Sequence, residues 1–195
     1  MMKNLNILVT GVGGQGIITF GRVLSSVYNK RGIRIMMAET HGMSQRGGSV
    51  EVHIRIGNIH SPLVPVGGAD VIIGLELIET MRVLKYTNKD TLVVANTRMI
   101  RPALPKINMP NPDDLVSKAE SLGIRILTVN AHELALEAGS ALSVNMVMLG
   151  GLVALDILPG SVTKKDFLDV ISGLRMSEIN SKAFEMGYHA VKTQL

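Results

Sequence analysis

The feature that most constrains this chain is Asn6 to Gly16, N-I-L-V-T-G-V-G-G-Q-G. Ile7, Leu8, Val9 and Thr10 read as a short buried strand. Gly11, Gly13 and Gly16 follow at G-x-G-x-x-G spacing. Ile17, Phe20, Val23, Leu24, Val27 and Tyr28 then lie along one face of a helix. In a strand-turn-helix unit such glycines allow a tight turn and a close backbone approach to a ligand. Free backbone N–H groups and the positive end of the helix dipole then favour an anion at the turn. The same glycines also serve a plain turn with no ligand. Gln15 is the unusual member, with an amide that either contacts a ligand or partner or caps the turn.

Composition narrows the classes. With 195 residues, 46% apolar and 18% charged, the chain can bury a substantial core as one domain spanning 1–195. Three Phe, three Tyr and no Trp leave few platforms for stacking bases, while twelve Met point to an aliphatic and thioether core. The net charge of +4 comes from scattered residues rather than a basic arm, so nucleic acid is not an expected partner. Without cysteine the chain can form no disulfide, zinc-thiolate site or iron-sulfur cluster of its own. No apolar run approaches a membrane span and no leader pattern opens the sequence, so a soluble cytoplasmic protein is expected.

A second strand is expected over Ile33 to Ala38, after a basic last turn and a glycine stop at Gly32. Glu39 stands at its end, where a dinucleotide-binding fold places the acid that binds the ribose. It also opens a polar loop, Glu39 to Ser49, E-T-H-G-M-S-Q-R-G-G-S. Arg46 is the strongest anion ligand there, because its planar fork matches carboxylate or phosphate oxygens. His41 can titrate near neutrality, or is a surface histidine without a role. Ser49 to Gly57 alternates cleanly and reads as a strand with one buried and one polar face, with His53 solvated.

Buried strands follow at Asp70 to Gly74, Thr91 to Ala95 and Ile124 to Val129, each trailed by a helical pattern, and Asn96-Thr97 ends the second of them on the edge of the glycine turn if the sheet is parallel. Asn111-Pro112-Asp113 and Thr163 to Asp166 are helix starts, and Asn130 with Glu133 reads as a capping box. The stretch Ser143 to Leu155 carries Gly150-Gly151 on an apolar stripe, and Asn145 beside it is a site residue or a hydrogen-bonded core amide. The expected fold is α/β and Rossmann-like: a mainly parallel sheet, an antiparallel insertion after the second strand, and a helical C-terminal layer. The glycine turn and the polar loop then share one edge of the sheet.

These motifs carry a resemblance. G-V-G-G-Q-G-I at Gly11 to Ile17 and E-T-H-G-M-S-Q-R-G-G-S-V at Glu39 to Val50 resemble the gamma-type subunits of 2-oxoacid:ferredoxin oxidoreductases, the pyruvate oxidoreductase family. Within that family the pattern is most similar to the small beta subunits of indolepyruvate:ferredoxin oxidoreductases. It continues through Ala69 to Gly74, Ala95 to Arg98, Asn145 to Gly151 and Ile179 to Gly187, essentially the whole chain. The resemblance implies a subunit that is inactive alone, with thiamine diphosphate and [4Fe-4S] clusters on a large alpha subunit. It also implies CoA-dependent oxidative decarboxylation of an arylpyruvate, with ferredoxin reached through the complex. Matching positions are Gly11, Gly13, Gly14, Gln15, Gly16, Gly42, Ser44, Gln45, Gly47, Gly48 and Asn145 for cofactor or CoA placement. Glu39, His41 and Arg46 match as supporting groups. A free-standing dinucleotide-binding protein using Gly11 to Gly16 with Glu39 is the alternative, and a homodimer through the apolar C-terminal helices stays open.

Overall fold

The computed structural model describes residues 3–42, 47–101 and 107–195. Six strands form one sheet: β1 (Leu5–Val12), β2 (Ile35–His41), β3 (Ser49–Ile56), β4 (Val71–Gly74), β5 (Leu92–Asn96) and β6 (Arg125–Val129), in the order β2-β3-β1-β4-β5-β6. β1, β4, β5 and β6 pair in parallel, while β3 runs antiparallel to both β1 and β2. The α/β fold with its antiparallel insertion is therefore as expected. β2 extends through His41, so Glu39 and His41 are strand residues and the loop between β2 and β3 is shorter than the sequence pattern suggested.

Helices cover both faces. On one side α1 (Ile17–Lys30) lays Phe20, Val23, Leu24 and Val27 against Ile7, Val9, Val52 and Ile54. On the other, α2 (Leu77–Arg82) and α3 (Pro112–Ser121) flank Leu8, Ile72, Val93 and Ala95. Asn111 accepts the Asp113 N–H at 2.9 Å, with Pro112 opening α3 as the sequence indicates. α4 (Ala131–Ala138) differs: the Asn130 side chain does not cap it but accepts the Thr97 hydroxyl at 2.6 Å.

The C-terminal layer is built on α5 (Val144–Ala154), every residue of which is buried. It lies between the sheet and α7 (Ser177–Lys192), flanked by α6 (Lys164–Ile171), whose Phe167 stacks on Phe184 at 6.0 Å. α5 and α7 approach at glycines. A Cβ on Gly150 would run into the Phe184 carbonyl, and one on Gly187 into the Val147 carbonyl. α5 therefore has no apolar face left for a second copy. Arg31 Nη2 donates to both Asp166 oxygens at 2.7 Å and ties the end of α1 to α6, holding that carboxyl at about 2.

The expectation of a solvated face on β3 fails. Glu51 and Arg55 on its polar face are half-buried, but His53 between them is only 2% exposed, because the chain at Val64 and the Tyr86 ring cover it. Its Nδ1 accepts the Val64 N–H at 3.2 Å, its ring meets Tyr86 edge-on at 5.5 Å, and its Nε2 lies 3.6 Å from Glu51. That imidazole, more than any other group, holds the Glu51 carboxyl below its ordinary range. A carboxyl that titrates lower when folded adds stability above its unfolded pKa and loses it as the pH falls through the folded value.

Two outcomes follow from this packing. Gly187→Ala should lower unfolding free energy by about 1–3 kcal/mol in urea titrations, whereas Gly173→Ala, with room for a Cβ, should stay within about 0.5 kcal/mol. Glu51→Gln should make stability fall less steeply than in the parent on acidification below about pH 5, in the same titrations repeated across pH.

Candidate functional site

The C-terminal ends of the parallel strands converge on the glycine turn. Gly14 and Gly16 hold φ of 104° and 75°, the left-handed region that glycine occupies without strain. Gln15 resolves as the staple of the turn: its Oε1 accepts the Val12 N–H at 2.8 Å and its Nε2 donates to the Leu75 carbonyl at 3.0 Å. Asn145, 5% exposed, donates to the Gly16 carbonyl at 3.1 Å. Both amides are thus structural ties from the turn to β4 and α5. Gly11 is packed among Gln15, Ile17 and Leu75, so its role is close packing rather than ligand contact.

The turn and the polar loop meet. Gly13 N–H donates to the Gly48 carbonyl at 2.9 Å, one rung beyond the β1–β3 ladder. Gly47 and Gly42 flank the loop on its two sides, Gly42 donating to the Ser49 carbonyl at 2.9 Å. Ser44, Gln45 and Arg46 lie outside the described residues. Gly42 and Gly48, on either side of them, are held by hydrogen bonds at the same rim as the turn.

Beside the turn is a cleft of about 300 Å³ lined by Gly13, Gly14, Gly16, Ile17, Ile18, Thr19, His41 and Val50. The N–H groups of Gly14, Gly16, Ile17, Ile18 and Thr19 make no hydrogen bond among the described residues, since the first helical bond runs from Phe20 to Gly16. α1 adds the positive end of its dipole and has no acidic residue in its first turn. Across the cleft stands exposed His41, its Nε2 3.2 Å from Glu39. Backbone donors, the helix dipole and one imidazole at the mouth give this cleft the chemistry that suits an anion.

Sequence reading passed over what lies on the other side of Gly14. A narrower cleft of about 160 Å³ there is lined by Gln15, Asn96, Arg98, His132 and Leu142. Buried Asn96 organises it, donating to the Leu75 carbonyl at 2.9 Å and accepting the N–H groups of Ala131 and Arg98. Glu76, 1% exposed, accepts the N–H groups of Glu79 and Ile100 at 2.7 and 2.8 Å, and its burial raises its carboxyl. The position of Asn96 at a strand end was the available signal; His132 gave none. A further cavity of about 260 Å³, lined by Lys3, Asp70 and Arg125 among others, is at the N-terminal ends of the strands, remote from the turn.

Comparison with known proteins decides the family. The family model described as pyruvate ferredoxin/flavodoxin oxidoreductase matches residues 6–190. The chain belongs to that family. It is 41% identical over 191 residues to an indolepyruvate oxidoreductase subunit IorB of Archaeoglobus fulgidus, covering 95% of this chain and 94% of the relative. Its fold matches the gamma subunit of a keto/oxoacid ferredoxin oxidoreductase from Geobacter sulfurreducens, with TM-score 0.71, 21% identity and 97% and 99% of the two chains covered. It also matches 31% of a longer chain, a 2-oxoglutarate:ferredoxin oxidoreductase of Magnetococcus marinus with 2-oxoglutarate, coenzyme A and succinyl-CoA bound, with TM-score 0.72, 22% identity and 98% of this chain covered. The chain is thus a small subunit of a heteromeric 2-oxoacid:ferredoxin oxidoreductase.

Membership of this family implies thiamine diphosphate and iron-sulfur clusters in the complex. Lacking cysteine, the oxidoreductase subunit cannot ligate such a cluster by thiolates. Among the described residues no group of three or more His, Asp or Glu is placed to hold a metal ion, and no helix is long and apolar enough to cross a membrane. The dinucleotide alternative loses its geometry, because β3 separates β2 from β1 and sets Glu39 two strands, roughly 10 Å, from the turn.

Gln15→Ala removes both ties of the turn. It should cost about 1–3 kcal/mol and speed hydrogen exchange at the Val12 amide, read by denaturation and by amide exchange.

Proposed function

We propose that this chain is the small subunit of an arylpyruvate, most simply indolepyruvate, ferredoxin oxidoreductase, and that its glycine turn and 42–48 loop hold the phosphate end of coenzyme A where the large subunit docks. The observation that carries this is the Gly13–Gly48 hydrogen bond, which holds the C-terminal flank of the loop beside five backbone N–H groups that have no partner among the described residues. The indolepyruvate oxidoreductase relative at 41% identity supports the substrate class, and coenzyme A in the Magnetococcus marinus enzyme supports the ligand.

In this reading Gly14, Gly16, Ile17, Ile18 and Thr19 donate backbone N–H groups to phosphate oxygens, and the α1 dipole stabilises their charge. Arg46 adds a charge-assisted pair from the loop, with Ser44, Gln45 and Gly47 beside it. His41, oriented by Glu39, stands at the mouth of the cleft. Gln15 and Asn145 keep the turn rigid so that the donors are in place before the ligand arrives. The thiamine diphosphate and iron-sulfur centres of the large alpha subunit supply carbanion stabilisation and electron transfer to ferredoxin. This chain supplies position and electrostatics. In this reading the complex is cytoplasmic, since it passes its electrons to ferredoxin.

The test is reconstitution with the large subunit. Arg46→Ala should fold and assemble normally, yet lower kcat/KM for coenzyme A by about 10- to 100-fold, leaving the oxoacid KM unchanged. Full turnover with unchanged coenzyme A dependence would overturn the loop assignment. Loss of assembly with normal turnover at saturating partner would make the loop a recognition element only. Micromolar binding of NAD(H) or FAD by the isolated chain would restore the dinucleotide reading.

A further inference from the structure

The sheet ends on one side at β2, and β2 is unguarded. Two hydrogen bonds fix its parity. Gly57 N–H donates to the Arg34 carbonyl and Gly42 N–H to the Ser49 carbonyl, both at 2.9 Å and both in the register that sets Ile35 opposite Ile56. In an antiparallel ladder alternate residues bond the same neighbour. Arg34, Met36, Ala38 and Thr40 therefore satisfy their backbones on β3, while Ile35, Met37 and Glu39 direct theirs outward. Among the described residues no group pairs with those outward donors and acceptors.

Natural sheets protect such edges with lysine, proline, bulges or a covering element. β2 reads I-M-M-A-E-T-H: it has no lysine, proline or bulge, its one carboxylate, Glu39, stands past the apolar run Ile35–Ala38, and among the described residues only β3 and α1 pack substantially against it. The opposite edge differs: β6 spans only Arg125–Val129, and Gln194 Nε2 donates to the Thr128 carbonyl at 3.2 Å.

We propose that β2 pairs antiparallel with β2 of a second copy of this chain, about a two-fold axis at Met36, joining two six-stranded sheets into one. Outward-directed residues must face one another, so only alternate registers are available. With the axis at Met36, Ile35 stands opposite Met37, Met36 opposite Met36, and Arg34 opposite Ala38. Moving the axis to Met37 sets Ile35 against Glu39 and Arg34 against Thr40 instead. The Met36 register matches apolar with apolar and sets no like charges in opposition. It also leaves Glu39 and His41 beyond the paired apolar segment, beside the cleft. One isologous contact closes both exposed edges, and the self-matching run Ile35–Ala38 supplies its own partner.

The full chain, purified alone, should sediment as a concentration-dependent dimer in analytical ultracentrifugation. Its Ile35 and Met37 amides should then exchange as slowly as those of Met36 and Ala38. Ala38→Lys, which puts a lysine opposite Arg34 of the second copy, should raise the dimer Kd by about tenfold with unchanged circular dichroism. Adding Arg34→Glu should bring it back to within about threefold of the parent. A chain that stays monomeric with fast exchange at Ile35 and Met37 overturns the proposal. So does a dimer that Ala38→Lys leaves untouched, or protection of those amides that arises only when the large subunit is added.

Discussion

The antiparallel pairing of β3 with β1 is the interaction on which the rest depends. It inserts a strand between β1 and β2 and brings the chain that leads into β3 up to the glycine turn, where Gly13 and Gly48 add one more rung. The polar loop thereby becomes a neighbour of the turn. The same insertion pushes β2 and Glu39 outward, so the acid that a dinucleotide fold would use cannot reach a ribose at β1. It sets His53 where the chain at Val64 and the Tyr86 ring cover it, and it leaves β2 as the sheet margin.

The second constraint is stiffness around the turn. Gln15 ties it to Val12 and Leu75, and Asn145 ties it to α5, which is itself clamped between the sheet and α7 at Gly150 and Gly187. A site made of backbone N–H groups has little adaptable side-chain reach, so its affinity for an anion rests on donors already being aimed. The core supplies that aim. This suits a subunit whose family performs its redox chemistry on cofactors that a chain without thiolates cannot ligate itself.

Much of this was legible beforehand where a residue's local role and its tertiary role coincide. The turn at Gly14 and Gly16, the cap at Asn111 and the stop at Gly32 follow from backbone chemistry that acts within a few residues. Asn130 was misread because its side chain found Thr97, on another element, instead of its own helix. His53 was misread because alternation reports which side of a strand a residue occupies, not whether that side is covered. Asn96 was placed on the right edge by its strand end, while Arg98 and His132 gained significance only when β5 and α4 were set beside the turn.

The sequence by itself determined the strand-turn-helix unit, the element order, the exclusion of thiolate-held cofactors and the family. These are properties of local conformation, composition and motif. Only the tertiary structure decided that β3 lies between β1 and β2, that Gln15 and Asn145 tie the turn to its neighbours, and which backbone donors have no partner among the described residues. The physical reason is that strand order and hydrogen-bond parity depend on pairings between residues dozens of positions apart, and no local pattern carries that information.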